Sequence, residues 1–197
     1  LAARVRSQNV DGCVLIIGDS TSPDSQRQFA SQTPGAVMVE AVDLKDLVSF
    51  ARTFDLAAPD ALERLADFSQ SVITNVSAPD FLRRRVQSLM RGTARNPATD
   101  TEKTALEFVQ SPSYRAAVHL LVEISQEAGV RTHRPAVLRA CIKALKLCES
   151  TDGLSFHDAT LRMREQHRLL GRPLPRRAVG STLLLKGLEA DVAVILN

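Results

Sequence analysis

The sequence predicts an α/β domain in which a parallel sheet is interrupted by a large all-α helical insertion. Three observations lead there. An apolar run, Val14-Leu15-Ile16-Ile17, stands near the start, and residues 178–185 and 192–196 form two more near the end. Between them, from residue 43 to about 170, apolar residues recur at helical spacing. Short apolar runs without alternation suit strands buried on both faces of a helix-covered parallel sheet. Strands on either side of a helical block share one sheet only if the block is inserted into the domain. The expected boundaries are 1–42 and 178–197 for the sheet domain and 43–177 for the insertion.

In chain order, Asp11-Gly12 introduces the first strand, and Gly18-Asp19-Ser20 forms the turn after it. Ser22-Pro23 is an N-cap and first helical residue for a helix over 24–31, and residues 36–40 form the next strand. Asp43 is expected to cap a helix burying Leu44, Leu47, Val48, Ala51 and Phe54. Pro59-Asp60 opens a second, with Leu62, Leu65 and Phe68 inward. Ser77 to Asp80 start a third, which stops at Gly92. Helices follow around 101–109, 112–128 and 135–148. The last starts at Ser155, with Asp158 in a near capping box, and ends before Gly171 and Pro173.

Composition narrows the function classes. With 197 residues and 44% hydrophobic content the chain can build one sizeable core or two small ones. No apolar stretch reaches the length of a membrane span and no signal peptide is visible, so a cytoplasmic setting is expected. The chain starts at Leu1 and stops just after an apolar run, which reads as a fragment of a longer protein. Cys13, Cys141 and Cys148 lack metal-ligand spacing and read as reduced thiols. His119, His133, His157 and His167 show no ligand spacing either. Net charge is only +3, but Arg162, Arg164, Arg168, Arg172, Arg176, Arg177 and Lys186 face Glu165 alone, a run suited to phosphate contacts. Arg83-Arg84-Arg85 reads as a solvated helix face. Aromatic content of 4% without tryptophan argues against a base-stacking platform.

Lys186-Gly187-Leu188-Glu189, followed by the strand Val192-Ala193-Val194-Ile195-Leu196, resembles motif V of the UvrD/Rep-like superfamily 1 DNA helicases. In that family the pattern runs Thr-x-His-x-x-Lys-Gly-Leu-Glu and then a hydrophobic strand. Here Ser181 takes the threonine place and Leu183 the histidine place, across about twenty matching residues. The family's second RecA-like domain also carries a helical insertion ahead of this motif, so motif and architecture agree.

The resemblance implies a C-terminal RecA-like domain of an ATP-dependent DNA helicase. Glu189 would hydrogen-bond the ATP ribose, and Gly187 would let backbone approach the cleft. Ser181 and Thr182 would contact the DNA backbone, with Arg172, Arg176 and Arg177 along the same track. Lys186 would touch nucleotide or DNA, or anchor the loop by an ion pair with Glu189 or Asp191. The implied partners are single-stranded DNA and an N-terminal RecA-like domain of the same protein, and the implied cofactors are ATP and Mg²⁺. No Walker A or Walker B motif is present. Residues 180–187 imitate the former, but with Leu185 at the second glycine place and Gly187 at the hydroxyl place. This chain alone is therefore expected to be inactive.

Two other readings make different structural demands. A non-catalytic interaction module predicts an exposed apolar patch on the helices. A small-molecule enzyme using Gly18-Asp19-Ser20 needs a closed pocket and a titratable partner beside Asp19. The helicase reading predicts a deep groove between residues 186–191 and the insertion, lined by Arg172, Arg176 and Arg177.

Overall fold

Strand β1 (Val14–Gly18) leads through the turn at Asp19 into helix α1 (Pro23–Gln32) and strand β2 (Ala36–Met38). Strands β5 (Arg177–Ser181) and β6 (Val192–Ile195) complete a four-stranded parallel sheet in the order β2-β5-β1-β6. The computed structural model describes residues 11–169 and 174–196. The late strand β5 lies between β1 and β2, so the first and second strands of the chain are not neighbours. Both neighbours of β1 come from the last part of the chain, after the helical segment.

Alternate residues divide the sheet's core between two faces. Val14, Ile16, Val179 and Met38 pack with Ala30 and the half-buried Phe29 of α1. Leu15, Ala178 and Val39 face the other way and meet Leu185. Fully burying Val14, Ile16 or Val179 contributes roughly 1.5–3 kcal/mol each. The ladder continues past the strand ends, where Val39 N–H donates to the Val179 carbonyl at 2.8 Å and Leu196 N–H to that of Ile17 at 2.8 Å. Strand β6 departs from the expectation of burial on both faces. Val194 is buried, but Ile195, paired with Ile17 on the second face, is 71% exposed. Little covers that face at the β6 edge, so an apolar run there does not imply two buried faces.

Between β2 and β5 lie α2 (Lys45–Thr53), α3 (Ala61–Val72), α4 (Pro79–Met90), α5 (Asp100–Gln110), α6 (Tyr114–Gln126), α7 (Pro135–Ser150) and α8 (Phe156–Leu169). They share one apolar core containing Leu65, Leu121, Ile124 and Leu145. Phe50 stacks on Phe68 at 4.5 Å and meets the edge of Phe156 at 5.9 Å. Thr99 and Glu102 form a full capping box on α5, and Ser113 caps α6. Asp43 does not cap α2. Leu44 occupies the N-cap in a left-handed conformation (φ 44°), because its side chain is drawn into the core. The segment is not wholly helical: β3 (Ile73–Thr74) and β4 (Arg131–Thr132) form a short antiparallel ribbon. Among the described residues no helix is long and apolar enough to cross a membrane.

The residues around β4 join the helices to the sheet. The Arg131 guanidinium donates to the carbonyls of Ala36 (2.9 Å), Ala30 (2.7 Å) and Ser31 (2.9 Å), two of which lie in the last turn of α1. Met38 N–H donates to the His133 carbonyl at 2.9 Å. Arg134, 3% exposed, donates from Nε and Nη2 to both Glu40 oxygens at 2.7 and 2.8 Å, and to Asp46 at 2.7 Å. His133, buried beside these two arginines, is pushed down to about 4, by desolvation first and then by Arg134 and Arg131. The folded state thus favours the neutral ring. Its contribution is fully present above pH 6.5 and is lost as pH falls toward 4. The wild type is expected to lose about 2 kcal/mol between pH 6.5 and 5 that His133→Gln does not lose. Denaturant titrations at both pH values measure this; identical losses in the two proteins would contradict it.

Candidate functional site

Strand β5 ends at Ser181, earlier than the run over 178–185 suggests, and Thr182–Leu185 turn into a one-turn helix, α9. Two neighbouring residues account for the break. Ser181 Oγ accepts the Leu184 N–H at 3.4 Å, as an N-cap does. Gly180 lacks the Cβ that would stand 3.3 Å from Leu185 Cγ, so α9 can fold back over the strand. Leu185 is thereby buried against Leu15 and Ala178. Ser181 is only 8% exposed, and Thr182 beside it is exposed. Leu183, in the histidine place, is 76% exposed and offers no polar atom.

The connection after α9 returns from the carboxyl edge of the sheet to its amino edge. Gly187 adopts φ +80°, a left-handed turn that favours glycine. At the far end Asp191 is fixed: its Oδ2 accepts the Cys13 N–H at 2.7 Å, and its own N–H donates to the Cys13 carbonyl at 3.0 Å. Gly12 makes room, since a Cβ there would strike the Asp191 carboxylate. Asp191 is therefore committed to β1, and the anchoring ion pair considered for Lys186 does not form. Among the described residues, the exposed side chains of Lys186 and Glu189 make no hydrogen bond or ion pair. The loop holds one cation and one anion toward solvent on a backbone pinned at both ends.

A leucine at this place of the motif reads as buried, but Leu188 is 38% exposed. The core beneath the loop is closed by Leu185, one turn earlier, and needs no second leucine. Leu188→Ala is accordingly expected to cost under about 1 kcal/mol, not the 2–5 kcal/mol of a core leucine. Thermal or urea unfolding decides between the two.

The predicted basic residues do not gather beside Ser181 and Thr182. Arg176 is exposed just before β5, and Arg177 opens the strand beside Gly35, both at the amino edge. Ser181 and Thr182 lie at the carboxyl edge, about 13 Å away along a strand rising roughly 3.3 Å per residue. Arg172 lies outside the described residues. A cavity among the described residues lies elsewhere than the groove expected between residues 186–191 and the helices. That cavity, of about 400 Å³, lies between β2, α7, α8 and Leu174-Pro175, and neither the loop nor Arg176 or Arg177 lines it. Sequence reasoning missed its two cations, Arg139 and Lys143; their i,i+4 spacing on a helix was the available signal.

Other groups singled out from the sequence are occupied locally. Asp19 accepts the Thr21 N–H at 2.9 Å, which holds its carboxyl below the usual range, and the group serves its own turn. Arg85 forms a two-pronged pair with Glu102, and Arg83 meets Glu63 and Asp80, so the arginine triplet is largely engaged in ion pairs. Phe81 and Met90, the exposed large apolar residues of α4, lie nine positions apart and point to opposite sides of the helix, not to one patch. Among the described residues no three or more His, Cys, Asp or Glu side chains are placed to hold a metal ion. Comparisons of the chain with protein-family models, with curated proteins and with solved structures returned no match.

Proposed function

We propose that this chain is the second RecA-like domain, with its helical insertion, of an ATP-dependent DNA helicase of the UvrD/Rep-like kind. One observation carries the reading. The Lys186-Gly187-Leu188-Glu189 loop joins two parallel strands of the same sheet that holds β1, and the whole helical segment lies between the sheet's early and late strands. A motif of this kind has meaning only in such a context.

The chemistry of the loop fits its assigned part. An exposed carboxylate can accept hydrogen bonds from ribose hydroxyls, and Glu189 is one that has no polar partner among the described residues. Gly187 presents bare backbone beside it. The Ser181 hydroxyl accepts from its own helix turn yet keeps a proton to donate to a phosphate oxygen. ATP, with Mg²⁺, supplies the free energy of hydrolysis when bound. Its phosphates would belong with an N-terminal RecA-like domain, since the sequence carries no Walker A motif. Closure of the two domains on the nucleotide would then move the strand held across their tops.

Binding of single-stranded DNA by this chain tests the polymer half of the proposal. Weak, sequence-independent binding is expected, with log affinity falling against log salt by roughly 0.7 per phosphate neutralised. If the amino-edge arginines share the track, replacing both Arg176 and Arg177 with alanine lowers that slope by about 1.4. An unchanged slope assigns the pair to a solvated edge, and salt-independent binding removes the backbone track altogether.

A further inference from the structure

The cavity between the sheet and the helices is a built space with a definite chemistry. Its floor is the second face of the sheet, where Val39 packs with Leu174 and Val37 also lines the space. One wall is α7, which presents Ala136 and Ala140, small residues one turn apart; Met163 of α8 stands on the other side. At about 400 Å³ the space falls within the roughly 300–1,000 Å³ range of small-molecule sites.

Its charge is one-sided. Arg139 and Lys143 lie one turn apart on α7, among the same lining residues as Ala136 and Ala140. Both are exposed and have no hydrogen bond or ion pair among the described residues. The carboxylate that also lines the cavity, Glu40, has both oxygens engaged by Arg134. An apolar interior beneath two uncommitted cations matches a ligand with an apolar body and a single anionic head.

We propose that this cavity binds a small anionic amphiphile, an acyl or aryl body carrying one carboxylate or phosphate, with Arg139 and Lys143 receiving the head. The site is separate from the residue 186–191 loop and does not rest on the helicase reading. Occupation places the ligand between α7, α8 and the sheet, where it ties the helical segment to the strands.

Isothermal titration of the 197-residue chain with decanoate, decyl phosphate and decanol, each below its micelle concentration, tests this. The two anions are expected to bind with one-to-one stoichiometry, and decanol about tenfold or more weakly. A preference between the anions identifies the head group. The exposed double variant Arg139→Gln/Lys143→Gln should weaken both anions by about tenfold or more and leave decanol unchanged. Ala140→Phe, checked for native circular dichroism, should abolish all three by filling the space. Equal binding of decanol and decanoate, or anion binding untouched by the double variant, overturns the proposal. So does retained binding in a folded Ala140→Phe protein. If none of the amphiphiles binds, the proposal falls, and a loss of single-stranded DNA affinity in the double variant then makes the two cations a nucleic-acid contact.

Discussion

Arg134→Ala is expected to destabilise the protein by about 3–5 kcal/mol, because it leaves the Glu40 carboxylate buried without its partner. Arg134 is 3% exposed and Glu40 9% exposed, so water does not replace the lost bonds. Asp46 is cushioned, since Arg27 still reaches it at 2.6 Å. For a chain of this size the loss corresponds to a fall in melting temperature of roughly 10 °C. Removing both charges should cost much less: Arg134→Met with Glu40→Leu keeps the volume and leaves no unpaired ion. Urea denaturation of the three proteins gives the comparison. A loss below 1 kcal/mol in Arg134→Ala, or a double variant as unstable as the single one, would show that the pair does not hold the helices on the sheet.

That junction is also where sequence reasoning stopped. Arg134 and Glu40 are 94 positions apart, and nothing local to either marks the pairing. The β3–β4 ribbon was invisible for another reason: two residues per strand are too few to display an alternation. The helices were legible because Leu62, Leu65 and Phe68, or Leu82 and Val86, repeat over several turns with Pro or a capping residue ahead. The sharing of one sheet by early and late strands could be argued from the interruption alone. The insertion of β5 between β1 and β2 could not, because strand order in a parallel sheet is set by crossover packing.

At the candidate site the sequence named the loop but not its mechanics. Leucine favours helix, and a run such as Thr182-Leu183-Leu184-Leu185 reads equally as strand or helix until Ser181 and Gly180 are considered together. The Asp191 anchor was missed because Cys13 N–H, its partner, is 178 positions away. Leu188 stays outside the core because the helix turn before it, ending in Leu185, has already closed that core. The arginines were grouped by nearness in sequence, and a five-residue strand carries Arg177 and Ser181 to opposite edges.

Glu189 carries the central claim. It is exposed and makes no polar contact among the described residues, so its loss removes no interaction of the fold. Glu189→Ala is expected to change stability by less than about 0.5 kcal/mol. If the carboxylate holds the ribose, the loss of a charge-assisted hydrogen bond of about 1.5–3 kcal/mol lowers turnover roughly 10- to 150-fold. The decisive measurement is DNA-stimulated ATP hydrolysis by the two-domain protein that the proposed function requires, with and without Glu189→Ala, at matched unfolding midpoints. The account predicts a fall of at least tenfold in a protein as stable as the wild type. Wild-type turnover in a well-folded Glu189→Ala protein contradicts it.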